Sequence, residues 1–186
     1  MSGLKFDKRE LGNLEYSLDR EVLSTDRRGG YMSTTIVGCN TRKYHGLMVA
    51  PIDQSDRTYV LLSSLDETVV QHDQSFNLAL HRFEGTYEPR GHKYITDFEY
   101  TPVPTITYRV GGVILKKELL WVHNRTQLMI RYTLVDAHSE TTLRLRPLLA
   151  FREKHALSKA NMEADGRAYP IPYGVKCRLY EGFPWL

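Results

Sequence analysis

The chain has 186 residues, enough for one domain with a substantial buried core. Hydrophobic and charged shares of 41% and 25% exclude a disordered chain, and no apolar run nears the roughly 18 residues that span a bilayer. A net charge of +3, spread over short pairs such as Arg27-Arg28, Arg42-Lys43 and Lys116-Lys117, is too weak and dispersed to track nucleic acid.

The first ten residues lack the apolar centre of a secretory signal. The two cysteines, Cys39 and Cys177, cannot build a disulfide framework. A cytoplasmic chain with reduced thiols is the expectation. Seven histidines show no paired ligand spacing, so neither a metal nor another cofactor is predicted.

In chain order, strands are predicted over Glu15–Leu23, Tyr31–Val37, Tyr44–Ala50, Thr58–Ser64, Thr68–His72, Phe76–Phe83 and Tyr94–Tyr100. Turn clusters at 53–56, 88–91 and 136–139 separate several of them. Thr105–Val110 and Val113–Val122 are joined only by Gly111-Gly112, a strong hairpin signal because a primed turn needs positive φ. Thr126–Val135 and Thr142–Arg146 alternate apolar and polar residues, as strands with one buried face do. Only Glu153–Ala164 is predicted helical, ending at Gly166. The pattern is an all-β antiparallel sandwich with little helix, read as one domain over 1–186. The last residues, Arg178–Leu186, stay apolar and aromatic, which fits a tail that docks or one that leads into a following segment.

The densest chemistry lies between Arg28 and Ala50. Glycines there flank a turn-forming Asn40-Thr41 and the polar group Arg42, Lys43, Tyr44 and His45. Asn40 offers a donor and an acceptor, Arg42 a planar fork of donors, Tyr44 a ring face and His45 one further bond, a set suited to hydroxyls. A hairpin that satisfies its own polar groups explains the same residues. A second cluster, Arg152, Glu153 and His155, ends a strand. Arg152 there is read either as a binding group or as half of an ion pair, and His155 as a binding group or a loop cap.

A glycosidase needs two carboxyl groups about 5 to 9.5 Å apart. Asp66-Glu67 is the best adjacent pair, but on a strand the two point to opposite faces. Asp97 and Glu99 share a face, with nothing beside them to raise a pKa. No nucleophile elbow or phosphate cradle is present. Abundant tyrosine, 12 copies, serves a β core as readily as a sugar platform.

Gly29-Gly-Tyr31, Gly38-Cys-Asn-Thr-Arg-Lys-Tyr-His-Gly-Leu-Met-Val-Ala50, Leu61-Leu-Ser-Ser-Leu-Asp-Glu67, Pro89-Arg-Gly-His92 with Phe98, and Arg146–His155 stand in an order that resembles the amino-terminal domain of bacterial and archaeal glycogen debranching enzymes. The resemblance covers about residues 20–157. It implies a β-supersandwich of the glucoamylase N-domain or galactose mutarotase-like kind, placed before a helical (α/α)6 toroid. Residues 158–186 would then be a tail leading towards that toroid. It also implies amylo-α-1,6-glucosidase activity for the whole enzyme, with the catalytic carboxylates in the toroid and none here. By the same resemblance Asn40, Arg42, Tyr44, His45, Arg152 and His155 are substrate-binding or domain-interface positions. Thr25-Asp-Arg-Arg28 departs from the family's small Asn-Gly turn. The implied partners are an α-glucan such as glycogen or maltooligosaccharides and a helical glucosidase domain, in cis or in trans. Two other readings stand beside this one. The first is a free-standing aldose epimerase pairing His45 or His92 with Glu153 or Glu118. The second is a ligand-free interaction sandwich, with a homodimer as one form.

Overall fold

A computed structural model describes residues 3–52 and 57–186. The turn expected at 53–56 lies outside the described residues. The elements run β1 (Leu4–Asp7), α1 (Lys8–Gly12), α2 (Leu14–Leu18), β2 (Glu21–Thr25), β3 (Tyr31–Thr35), β4 (Gly46–Pro51), β5 (Thr58–Gln71), β6 (Gln74–Asn77), β7 (His81–Phe83) and β8 (Thr86–Glu88). A 3-10 turn at Gly91–Tyr94 precedes β9 (Ile95–Tyr100), β10 (Pro104–Val110), β11 (Val113–Trp121), β12 (Leu128–Asp136) and β13 (Thr142–Glu153). The chain finishes with β14 (Ala168–Ile171) and β15 (Gly174–Cys177).

Two antiparallel sheets carry the fold. One has the order β1-β9-β10-β11-β12, the other β13-β5-β4-β3-β2 with β6 also beside β5. Their facing sides bury Met32, Val69, Phe98, Ile106, Val113 and Leu115 in one apolar cluster. This is the all-β sandwich that the alternating pattern predicts. The Gly111-Gly112 hairpin forms as expected, with both glycines at positive φ and Val110 opposite Val113.

Four local expectations differ. Residues 15–23 are not one strand. Asn13 caps a short helix by accepting from the Tyr16 N–H at 3.2 Å, and a strand begins only at Glu21. The preceding α1 has a full capping box between Asp7 and Glu10 and drives Leu11 completely into the core. Thr58–Ser64 and Thr68–His72 are one fourteen-residue strand, β5. The predicted strand Phe76–Phe83 is broken into β6 and β7, because Ala79 N–H turns back to the Asn77 side chain.

The helix predicted over Glu153–Ala164 is absent. β13 runs through Glu153, whose carboxylate accepts from the His155 N–H at 2.9 Å. Farther on, the Asn161 side chain accepts from the backbone of Glu163 and Ala164, a local bond that competes with helical ones. The tail docks: β14 and β15 pair, Leu186 and Cys177 exchange backbone hydrogen bonds, and Phe183 meets Tyr59 and Phe151 edge to face.

Candidate functional site

The site grows from the outer faces of β2 and β3. Val22, Met32 and Thr34 point into the sandwich, so by strand alternation Glu21, Leu23 and Thr25 point out, with Tyr31 and Ser33 beside them. The register sets Thr25 opposite Tyr31 and Leu23 opposite Ser33. The β2–β3 turn is closed by Asp26, whose buried carboxylate accepts from the N–H groups of Arg28 at 2.6 Å and Gly30 at 2.9 Å. A side chain at Gly30 would strike that carboxylate and the ring of Trp121, so glycine is required there. The departure at Thr25–Arg28 therefore still yields a tight turn, with Arg27 in the left-handed region.

The segment 38–46 folds over this surface. Asn40 faces inward: its Oδ1 accepts from Thr34 Oγ1 at 2.9 Å and its amide donates to the Ser63 carbonyl at 2.8 Å. His45 is 2% exposed. Its Nδ1 accepts the Thr41 N–H at 3.1 Å, which puts the ring proton on Nε2. Nε2 lies 3.3 Å from Glu21 Oε1, close enough for attraction but not aligned as a hydrogen bond. Burial holds the His45 pKa below its ordinary value, with Glu21 opposing.

Arg42 and Tyr44 face outward. Arg42 Nε pairs with Glu21 Oε1. Its terminal nitrogens make no further hydrogen bond among the described residues. Tyr44 is held from several sides: its carbonyl accepts from Tyr31 Oη at 3.1 Å, and its hydroxyl lies 3.3 Å from His155 Nδ1. Glu21, Leu23, Tyr31, Ser33, Arg42 and Tyr44 line an open groove of about 520 Å³. On its other side Arg42 borders a second concavity with Arg82 and Tyr87.

Arg152 and His155 support the rim from behind. The register of β13 against β5 shifts between Leu149 and Arg152, and Phe151 there has φ of +46°. The bulge sends Phe151 into the tail cluster. The Arg152 fork donates to the carbonyls of Lys43 at 2.5 Å and Ala156 at 2.9 Å. Lys43 in turn donates to the His155 carbonyl. Arg152 therefore ties two segments together through backbone oxygens instead of pairing with a carboxylate.

The structure brings all six motif residues to one region but gives them different tasks. Arg42 and Tyr44 line the groove. Asn40, His45, Arg152 and His155 fix the loop that carries them. Glu21, Asp26 and Tyr31 are the site residues that sequence reasoning missed. The shared parity of Glu21, Leu23, Tyr31 and Ser33 on neighbouring strands was the available signal.

The acids that the sequence singled out are already engaged. Asp66 and Glu67 do point to opposite faces. Asp66 accepts from His81 Nε2 and from Arg146, each at 2.8 Å. Glu67 accepts from Tyr132 Oη at 2.6 Å and pairs with Lys117 at 2.5 Å. Asp97 and Glu99 both face Lys5. Glu118 is clamped by two nitrogens of Arg131, and Glu153 caps the backbone at His155. The carboxylate beside His45 is Glu21, and His92 is buried with Nδ1 unpartnered. Among the described residues no group of His, Cys, Asp and Glu is disposed to hold a metal, and no helix is long and apolar enough to cross a membrane.

The fold is thus a β-rich sandwich whose outer face carries a groove lined by Arg42, Tyr31 and Tyr44. Residues 20–186 match the family described as glycogen debranching enzyme N terminal, and the chain belongs to that family. The match extends the likeness carried by the motifs, about 20–157, through the tail. No curated protein and no solved structure matches the chain.

Proposed function

We propose that this chain is the non-catalytic, glucan-contacting N-terminal domain of a cytoplasmic glycogen debranching enzyme. Its groove holds an α-glucan strand while a helical (α/α)6 domain, in cis or in trans, supplies the carboxylates that cleave the α-1,6 branch. The observation that carries this reading is the locked rim, with Tyr31 and Tyr44 fixed by hydrogen bonds beside the free end of the Arg42 fork. A rigid aromatic face covers the C–H face of a sugar ring, and a guanidinium donates to its hydroxyls. Neither group needs ordering when ligand arrives, which limits the entropic cost of binding. The engaged state of each carboxylate considered above supports placing bond cleavage elsewhere.

The test is calorimetric or NMR titration of the chain with maltooligosaccharides. Arg42→Ala is expected to weaken binding about tenfold, the scale of one lost charge-assisted hydrogen bond. Tyr44→Ala is expected to do at least as much, because it also releases His155. Equal affinity in wild type and both variants would remove the groove from the function. Release of glucose from branched dextrin by the chain alone would contradict the non-catalytic assignment.

A further inference from the structure

The motif Pro89-Arg-Gly-His92 takes no part in the groove. It forms the 3-10 turn that leads into β9. The Gly91 N–H donates to the Ala79 carbonyl at 2.9 Å, and a Cβ at Gly91 would strike the backbone of Leu78 and Ala79. That close approach, open only to glycine, fixes the turn against its neighbours. The Lys93 N–H returns to the Arg90 carbonyl at 3.2 Å, and residues three apart in such a turn eclipse. Arg90 and Lys93 therefore share one side, beside a cleft of about 330 Å³ that Leu14, Thr86 and Tyr87 complete.

His92 lines the same cleft and is only 5% exposed. Its Nδ1 has no partner, and no hydrogen bond reaches Nε2 among the described residues. A buried imidazole with both nitrogens unmet is costly unless a group from outside the chain meets one of them. The surroundings are positive. Burial, then Lys93 and Arg90, lower the His92 pKa, and no carboxylate counters them as Glu21 does at His45. Lys93 makes no ion pair among the described residues. Arg90 meets Glu88 at 3.5 Å, with each side chain more than half exposed, a pair of little worth. Among the described residues no carboxylate lines the cleft itself.

We propose that this cleft binds a small phosphate monoester, its phosphate against His92, Arg90 and Lys93 and its organic part against Tyr87 and Leu14. Two cations match a group that carries nearly two negative charges. Its three free oxygens take the donors of Arg90, Lys93, the imidazole and the Thr86 hydroxyl. A carboxylate, with one charge and two oxygens, leaves part of that set unused. The cleft is larger than a lone phosphate and falls in the range of small-molecule sites, which leaves space for a sugar-sized group on the tyrosine ring. The site is separate from the glucan groove, since Arg90, His92 and Lys93 do not line it.

NMR titration of the chain at fixed pH and ionic strength tests the proposal, with inorganic phosphate, glucose 6-phosphate and glucose as probes. Glucose 6-phosphate is expected to shift the His92 ring signals saturably and to bind several-fold more tightly than inorganic phosphate. Glucose is expected to leave those signals unmoved. Lys93 is exposed, so substitution there spares the core. Lys93→Gln is expected to weaken glucose 6-phosphate binding about tenfold, with circular dichroism confirming the fold. Arg144→Gln removes the same charge from an exposed position on β13 and is expected to leave the affinity unchanged. No saturable shift at His92, equal weakening by both variants, a response there to glucose, or phosphate binding as tightly as its ester would overturn the proposal. Maltooligosaccharide is not among the probes, so the glucan reading of the groove stands or falls by its own titration.

Discussion

His45 shows how burial converts a motif residue from ligand to support. Its ring is neutral in the fold, with one nitrogen committed to Thr41 and the other facing Glu21. Burial lowers its pKa, and burial together with Lys93 and Arg90 lowers that of His92. The unfolded chain binds a proton at each near the ordinary value of 6.5, while the folded chain resists. The unfolded state therefore holds more protons below that pH, and stability falls as pH drops through the window beneath 6.5. It levels off once the folded values are passed. His45→Asn places an amide oxygen where Nδ1 accepts and removes one titration. Melting temperatures at about pH 7.5 and 5.5 should then differ by less than in wild type. An unchanged difference would exclude His45 as a source. The cluster was legible as polar and turn-bound, because glycines and Asn40 mark it. Its orientation was not, since Glu21 reaches it from another strand.

At the scale of elements, β5 is decisive because it carries charge on both faces. Glu67 and Lys117 join the sheets across the interior, and Tyr132 adds its hydroxyl. Burial, then Glu67, raises the pKa of Tyr132 and of Tyr108, so both rings stay protonated phenols. Lys117→Met leaves Glu67 without its counter-charge and should cost about 3–5 kcal/mol in urea unfolding. Adding Glu67→Gln keeps an acceptor for Tyr132 and should restore most of that loss. A double variant no more stable than the single one would show that the pair is not acting as a unit. Period-two alternation and the Gly111-Gly112 signal read β10 to β12 correctly from local chemistry. The gap left between Thr58–Ser64 and Thr68–His72 closes into one strand because Asp66 and Glu67 find partners there. Their partners, Arg146 and Lys117, come from strands far along the chain. The helix expected after Glu153 failed for the opposite reason, as short side-chain bonds at Glu153 and Asn161 outcompete helical ones.

Across the whole molecule, the tail closes one end of the second sheet. Phe183 contacts rings from β5 and β13, and Cys177 and Leu186 hold the last turn by backbone bonds. Phe183→Ala should cost about 1–2 kcal/mol for a half-buried ring and speed proteolytic cleavage between 157 and 167. Equal cleavage rates would mean the ring does not anchor the tail. The groove rim follows a related logic of distance. Arg152 reaches Lys43 across 109 positions of chain, and His155 reaches Tyr44 across 111. Contacts so remote carry the full entropy of closing a long loop and form only once intervening strands are in place. Refolding should therefore recover the buried Trp121 signal before the maltooligosaccharide affinity proposed for the groove, giving a protein that is shaped before it is competent.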